Sequence, residues 1–281
     1  MINLKEETVM LKNIFLTLIS LLILQAAVFA ETIKFAQITD AHYKMNEEYR
    51  ANVLKSAIKT INQNEKDLSF VVFTGDNLDV ANEQALVEFV KIANKLRLPY
   101  FIVIGNHDVY KNNGLSKERY MEILRENNIA FYKYRKPNYV FKKKGFVFIV
   151  ADGAKEVIPG AVGYFKADTM KWLKKQLNRH KKDNVIIFQH YPLVPVKDSA
   201  SHRVYNRDEY LELLDGYDCV ISVIAGHIHT NGEIMRNGVY HITSPSLLNH
   251  PNSYKVITVT TTKGFSPMIY TELKEVDMSQ K

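Results

Sequence analysis

The stretch Ile102-Val103-Ile104-Gly105-Asn106-His107-Asp108 joins a short β-branched run to a glycine and then to three consecutive polar side chains. The apolar part predicts a buried strand, because β-branched residues pack well on a pleated surface. The amide, imidazole and carboxylate that follow are groups that bind metal ions and transfer protons. The stretch therefore predicts a strand whose carboxyl end opens onto a functional site.

The same pattern, an apolar strand followed by potential metal ligands, occurs at four other places along the chain. It is found at Asp40 with His42, at Asp76, at His190 and at His227-Ile228-His229. In open α/β sheets, sites form beyond the carboxyl ends of the strands, so segments that are distant in sequence can meet there. One such aspartate or histidine is more often structural, but five segments together predict one shared site.

Strands and helices alternate in the first part of the chain. Apolar runs predict strands at 32–38, 68–73 and 100–104, and helical periodicity predicts helices at 47–62 and 83–96. This βαβαβ order predicts parallel strands with helices packed on their faces. We also predict a helix at 116–127, an antiparallel pair within 138–152 and buried strands at 184–189 and 219–225. No repeat or linker interrupts the pattern, so residues 31–281 are predicted to form one two-sheet α/β domain.

Several local features give narrower predictions. Asp168 is expected to cap a helix over 169–180, and His180 at its end is expected to face solvent. The dipeptides Asn231-Gly232 and Asn237-Gly238 both predict hairpin turns. Cys219, the single cysteine, is expected to be a small buried strand residue, and no intramolecular disulfide can form.

Taken in order, the five segments resemble the signature of the calcineurin-like metallophosphoesterase superfamily, which runs Asp-x-His, Gly-Asp, Gly-Asn-His-Asp/Glu, His and Gly-His-x-His. The match extends from Asp40 to His229. The resemblance implies two packed mixed β-sheets flanked by helices, an αββα sandwich, with a centre of two metal ions. The pattern looks closest to small bacterial phosphoesterases of the cyclic-nucleotide phosphodiesterase type. Asp79 stands where the purple acid phosphatases place a metal-binding tyrosine, which disfavours that class.

The resemblance also implies which residues bind the ions. The implied ligands are Asp40, His42, Asp76 and His229 for the first ion, and Asp76, Asn106, His190 and His227 for the second. Carboxylate, imidazole and amide oxygen without thiolate suit manganese or iron, with zinc or nickel as alternatives. Two such ions can clamp a phosphoryl group and lower the pKa of a bound water. A hydroxide that bridges the ions is therefore the expected nucleophile.

Other residues are expected to act on the substrate. His107 is not needed as a ligand and is expected to stabilise transition-state charge or to protonate the leaving oxygen. Asp108 is expected to accept a hydrogen bond from His107 and to orient it. The candidate substrate-binding residues, which lie in loops outside the signature, are His202, Arg203, Tyr205 and His250.

The expected reaction is hydrolysis of a small anionic phosphate ester. A phosphodiester is favoured slightly over a phosphomonoester, because the sequence localises little extra positive charge for a dianion. A scavenging phosphatase and a non-catalytic scaffold on the same fold are the alternatives. The net charge of +7 favours anionic partners, but the basic residues are dispersed and no specific nucleic-acid binding is expected.

The first thirty residues predict a signal peptide. Lys5 and Lys12 precede an apolar run at 14–24, and Val28 and Ala30 occupy the small-residue cleavage positions. Cleavage after Ala30 would export the domain to the periplasm or the medium. The alternative is an uncleaved membrane anchor, for which the run is short against roughly 30 Å of hydrocarbon.

Overall fold

The computed structural model of the chain describes Lys12, residues 30–197 and residues 199–279. The predicted signal segment therefore lies outside the described residues, apart from Lys12 and Ala30. Within the described ranges, none of the helices combines the length and the apolar character needed to cross a lipid bilayer.

The first sheet contains five strands. They are β1 (Ala30–Ile38), β2 (Val71–Thr74), β3 (Tyr100–Val103), β10 (Ser253–Thr262) and β11 (Met268–Glu275), in the order β11-β10-β1-β2-β3. Helices α1 (Glu48–Asn64) and α2 (Glu83–Ala93) connect β1 to β2 and β2 to β3, and these three strands run parallel. The βαβαβ prediction is confirmed, and β10 and β11 add an antiparallel edge.

The second sheet contains six strands. They are β4 (Tyr139–Lys143), β5 (Phe146–Val150), β6 (Asn184–Phe188), β7 (Val220–Ala225), β8 (Gly232–Arg236) and β9 (Val239–Thr243), in the order β4-β5-β6-β7-β9-β8. Strands β5, β6, β7 and β9 are parallel, and β4 and β8 pair antiparallel at the edges. The remaining helices are α3 (Lys117–Asn127), α4 (Ala167–Arg179) and α5 (Arg207–Asp215).

Phenylalanine side chains pack the two sheets against each other. The ring of Phe35 on β1 makes edge contacts with Phe148 on β5 and Phe188 on β6, at centroid distances of 5.9 and 5.6 Å. Phe70 contacts Phe148 at 5.0 Å, and all four side chains are fully buried. This apolar interior holds the sheets face to face, so the predicted αββα sandwich is confirmed.

Three local predictions were wrong. Helix α4 begins at Ala167 after Lys166, so Asp168 lies in the first turn and does not cap the helix. Gly232 is a buried residue at the start of β8, whereas Asn237-Gly238 does form the β8–β9 turn, with positive φ at both residues. His180 is buried, and its Nδ1 pairs with Asp183 Oδ2 at 2.7 Å. Cys219 is buried as predicted, but it lies in the turn just before β7 and not in the strand.

Candidate metal centre

The site lies where the carboxyl ends of five parallel strands meet. β1, β2 and β3 of the first sheet end just before Asp40, Asp76 and Asn106, and β6 and β7 of the second sheet end just before His190 and His227. Gln37 links the two sheets near this edge, because its Nε2 donates to Thr74 Oγ1 and to the carbonyl oxygen of Ala225, both at 2.8 Å. The tertiary structure therefore brings together all seven residues predicted as ligands.

Asp40, His42 and His229 form the first group of potential ligands. The Nε2 of His229 lies 3.1 Å from Asp40 Oδ1 and 3.3 Å from the Nε2 of His42. Asp40 is held in place by its other oxygen, which accepts bonds from Thr39 Oγ1 at 2.6 Å and from the backbone N–H of His227 at 2.9 Å. One carboxylate oxygen thus remains directed at the two imidazoles.

Asp76, His190 and His227 form the second group, and Asn106 joins it. The Nε2 of His190 lies 3.2 Å from Asp76 Oδ2, 3.2 Å from Asn106 Oδ1 and 3.1 Å from the Nδ1 of His227. Asp76 also lies within ligand distance of His42 and His107, so it stands between the two groups.

Backbone carbonyls set the tautomers of the second group. The Nδ1–H of His190 donates to the carbonyl oxygen of Thr74 at 2.9 Å, and the Nε2–H of His227 donates to that of Ala161 at 2.7 Å. Each neutral ring therefore turns a lone pair toward the other, beside the oxygens of Asp76 and Asn106. When both rings are unprotonated, four acceptors converge, which is the arrangement that a cation needs.

The electrostatics of the group agree with this arrangement. Burial opposes charge on His190, but the carboxylates of Asp76 and Asp40 outweigh it and raise the pKa of His190 to about 9. Burial and the neighbouring His190 together lower the pKa of His227 to about 3. Burial alone would raise the pKa of Asp76, but the surrounding histidines hold it well below its ordinary value. A proton on His190 relieves the repulsion among the lone pairs of the neighbouring acceptors. A metal ion can take the place of that proton.

Most of the potential ligands have an unusual backbone conformation. Positive φ angles occur at Asp40 (51°), His42 (42°), Asp76 (49°), His227 (72°) and His229 (52°). The left-handed region costs a non-glycine residue about 1 to 3 kcal/mol, and such residues concentrate at functional sites. These tight turns direct the side chains over the strand ends. The strained backbone lowers local stability, and the potential ligands converge as a result.

Two glycines permit the close approach of these segments. A Cβ on Gly105 would lie 2.2 Å from the backbone nitrogen of Asp76, and one on Gly226 would lie 1.9 Å from Thr39 Oγ1 and 2.7 Å from Asp40 Oδ2. No side chain fits at either position without displacing a potential ligand or the residue that holds it.

The predicted bond between His107 and Asp108 is wrong. Asp108 is fully buried and accepts from the backbone N–H groups of Gly105 at 2.7 Å and Leu78 at 2.9 Å, and from Asn77 Nδ2 at 2.9 Å. Burial and the charge of Asp76 raise the pKa of Asp108 to about 7. Its place is beneath the loop, where it fixes the turn that carries Asn106.

His107 is exposed at the site and is oriented by the carbonyl oxygen of Asp79, to which its Nδ1–H donates at 2.7 Å. The Nε2 of His107 is then the atom available to a substrate. The carbonyl groups of Asp79, Thr74 and Ala161 all position histidines here, and sequence reasoning missed them. A main-chain carbonyl belongs to every residue, so no residue type signals this role.

A cavity of about 350 Å³, the metal-centre cavity, opens over both groups of potential ligands. His202 lines it, together with Lys197, Ser199 and Thr230. The ring of His202 lies 5.2 Å from that of His227. The other candidate substrate residues, Arg203, Tyr205 and His250, are exposed and are not among the residues that line this cavity.

The αββα sandwich and the ligand set at its strand ends define the metallophosphoesterase class of protein. Residues 33–231 match the Calcineurin-like phosphoesterase family, and the chain belongs to this family. The chain is accordingly a metal-dependent phosphoric ester hydrolase, and its candidate ligands from Asp40 to His229 all lie within the matched residues.

Similar proteins were found among characterised sequences and solved structures. The chain is 26% identical over 222 residues to a probable glycerophosphodiester phosphodiesterase of Arcobacter nitrofigilis, covering 75% of this chain and 77% of that protein. It is 25% identical to a 3′,5′-cyclic-nucleotide phosphodiesterase of Nostoc, covering 76% of this chain and 78% of that protein. The crystal structure of a dimetal phosphatase from Danio rerio superposes with a TM-score of 0.63 at 18% identity, covering 85% of this chain and 98% of that one, which shows a shared fold.

Proposed function

We propose that the mature chain is an exported phosphodiesterase that works with two metal ions. The observation that carries the proposal is the convergence of two groups of acceptors on either side of Asp76, at the base of an open cavity. Unprotonated, these acceptors repel one another unless cations lie among them.

The ligands in this proposal are Asp40, His42, Asp76 and His229 for one ion, and Asp76, Asn106, His190 and His227 for the other. Manganese or iron suits this mixture of oxygen and nitrogen donors, with zinc or nickel as alternatives. The ions, when bound, supply positive charge to the phosphoryl oxygens and lower the pKa of a bound water. The chain's own part is to hold the ligands, through Thr39, Thr74 and Ala161, so that they need not reorganise.

His107 is the residue proposed to act on the leaving alcohol. Its Nδ1–H is engaged by Asp79, so the Nε2 faces the cavity that Asn106 and Asp76 also line. When protonated, this nitrogen can give its proton to the departing alkoxide oxygen. An alcohol is a poor leaving group without a proton, so this residue contributes to turnover rather than to metal binding.

A diester fits the charge of the cavity better than a monoester. Among the described residues that line the metal-centre cavity, Lys197 is the only lysine or arginine. A diester carries one negative charge, whereas a monoester dianion calls for more local positive charge. The two similar phosphodiesterases reported above support this preference.

Export rests on the N-terminal sequence. Cleavage after Ala30 leaves β1 paired with β10 from Glu31 onward, since Glu31 pairs with Thr261 in the register of the two strands. The mature domain therefore loses only the first pair of its sheet. The test is to express the full chain in a bacterium, fractionate the cells and sequence the N-terminus, which we expect to begin at Glu31 outside the inner membrane. An intact N-terminus in the membrane fraction would establish the anchored form instead.

The activity is tested with purified mature protein loaded with manganese. We expect turnover of bis-p-nitrophenyl phosphate with a higher kcat/KM than that for p-nitrophenyl phosphate. A monoester preference would make the chain a scavenging phosphatase. Turnover of neither compound, with about two metal ions per chain confirmed by elemental analysis, would favour a non-catalytic scaffold.

A further inference from the structure

A second cavity adjoins the metal-centre cavity, and we call it the apolar cavity. It has a volume of about 390 Å³, and its apolar and aromatic lining consists of Val80, Ala81, Val109, Tyr110, Pro159 and Gly160. The two cavities meet at Asn106, His107 and Ala161, which line both. His107 therefore stands at the junction of a polar space and an apolar one.

The apolar cavity also has a few polar lining residues, but they add no uncompensated charge to it. Apart from the shared Asn106 and His107, these are Asp79 and Asn113. The carboxylate of Asp79 forms a short ion pair with Arg50, and its other oxygen lies 3.7 Å from Lys44 Nζ. The charge of Asp79 is thus compensated from outside the cavity, and its carbonyl oxygen accepts the bond from His107.

The apolar cavity continues away from the metal centre. A further cavity of about 390 Å³ shares Val80, Ala81 and Asn113 with it. It adds Tyr43, Met45 and Ala85, together with the polar Lys44 and Asn82. Val80 is 57% exposed at the boundary between the two. Together these cavities form one groove that starts at His107 and has room for several methylene groups.

We propose that the apolar cavity receives an apolar alcohol of the phosphodiester substrate, while the metal-centre cavity holds the phosphate and a second, polar alcohol. This inference rests on the proposed function. A phosphate placed at Asn106 and His107 has one ester arm toward each cavity. Lys197, Ser199 and Thr230 offer hydrogen bonds to the polar arm, and burying an alkyl chain beside Val80 and Pro159 removes apolar surface from water.

The test uses the manganese-loaded protein and the glycerol phosphodiesters of methanol, butanol and octanol. Each pairs one polar alcohol with one alcohol of increasing apolar length, and hydrolysis is followed by ³¹P nuclear magnetic resonance. Full burial of a methylene is worth about fourfold in binding, so a half-open groove predicts a rise in kcat/KM of about twofold per methylene.

Gly160→Leu is the first variant. A Cβ at Gly160 meets only Lys155 Nζ, at 3.8 Å, and its φ is not in the left-handed region, so the position has room for a Cβ. Because Gly160 lines the apolar cavity, a leucine there should reduce the volume open to a ligand. We expect this variant to lose most of the dependence on chain length, so that its kcat/KM for the octanol ester falls toward its own value for the methanol ester. Gly216→Leu is the matched control, since a Cβ there meets only Leu213 O at 3.5 Å, and it should keep the dependence.

Val80→Asp is the second variant, because an exposed position tolerates a charge that repels an apolar arm. It covers the case in which Gly160→Leu fails to fold. A rate independent of chain length in the parent, or a dependence that both folded variants keep, would overturn this inference and leave the phosphodiesterase standing. No turnover of these esters or of bis-p-nitrophenyl phosphate would overturn the proposed function and the inference with it.

Discussion

The imidazole of His107 donates its Nδ1–H to the carbonyl oxygen of Asp79 at 2.7 Å, although Asp108 is its neighbour in the chain. The bond fixes which nitrogen faces the cavity and makes that choice independent of any titratable partner. A carboxylate bonded to His107 would instead favour the protonated ring permanently. The main-chain acceptor therefore fixes the tautomer of the ring without placing a carboxylate against it.

Removing His107 should abolish most turnover without removing metal. We expect His107→Ala to lower kcat for the glycerol phosphodiester of methanol by about 10²- to 10⁴-fold, because its alcohol leaving groups need a proton and general acid catalysis contributes on that scale. Metal content measured by elemental analysis should stay at the parent value. His250→Ala, an exposed histidine outside the cavity, is the control and should retain activity. Parent-like turnover by His107→Ala would remove this residue from the mechanism.

Replacing Asp76 should remove bound metal, since Asp76 stands between the two groups of potential ligands. Asp76→Asn lowers the negative charge at the point where the two sites meet, so we expect fewer than one tightly bound metal ion per chain after gel filtration. Glu88→Gln, at a half-buried residue of α2, is a matched loss of charge and should bind metal normally. Two retained ions in Asp76→Asn would contradict the proposed bridging position.

Asp108 should act on stability through the loop that it supports. In Asp108→Asn, an amide N–H₂ replaces one of the two carboxylate oxygens that accept hydrogen bonds from Gly105, Asn77 and Leu78. At least one buried donor then loses its acceptor, so the free energy of unfolding should fall by about 1 to 3 kcal/mol. Urea unfolding of metal-free protein measures the change. Asp168→Asn, at the exposed start of α4, should stay within about 0.5 kcal/mol. Equal stabilities for the two variants would show that the buried bonds of Asp108 contribute nothing.

Gly226 should not tolerate even an alanine. The added Cβ would collide with Thr39 Oγ1 and crowd Asp40 Oδ2, so Gly226→Ala must displace the first group of ligands. We expect a metal affinity at least about tenfold lower, measured by competition with a chelator, together with a lower melting temperature. Gly216→Ala makes the same substitution where a Cβ has room and should change neither quantity. Unchanged affinity in Gly226→Ala would mean that the segment relaxes without moving the ligands.

His241 should make the domain sensitive to acid. Burial, with a smaller effect of Arg236, lowers the pKa of His241 to about 4, below its ordinary value of 6.5. Between these values the unfolded chain binds a proton that the folded chain does not, so the free energy of unfolding falls as pH falls through this range. From pH 7 to pH 5 the loss from this residue is about 2 kcal/mol.

The pH effect is measured as a difference between variants. Urea unfolding of metal-free protein at both pH values should show a smaller acid loss in His241→Gln than in the parent. The exposed His250 supplies the control, and His250→Gln should match the parent. An identical acid loss in all three proteins would show that His241 takes up its proton without unfolding.

The sequence by itself determined the strand ends and their chemistry. Apolar runs, glycines and polar residues are local signals, and the recurrence of one pattern five times was enough to predict a converging ligand set, which the structure brings together. The parallel βαβαβ order followed from the alternation of strands and helices, because parallel neighbours need a crossover between them. The turn at Asn237-Gly238 was predictable from residue type, since both residues tolerate the positive φ of a tight turn.

Tertiary structure decided how each polar group is used. Asp108 accepts hydrogen bonds from Gly105, Leu78 and Asn77 because the loops after β2 and β3 pack over it. His180 is buried at the end of α4, where its Nδ1 pairs with Asp183. Asp79 positions His107 through an atom that every residue possesses. The apolar cavity is likewise built from the loops after β2, β3 and β5, so the sequence of no single segment predicts it. Hydrogen bonding and burial depend on what lies opposite in space, whereas strand and turn preferences depend on neighbours along the chain.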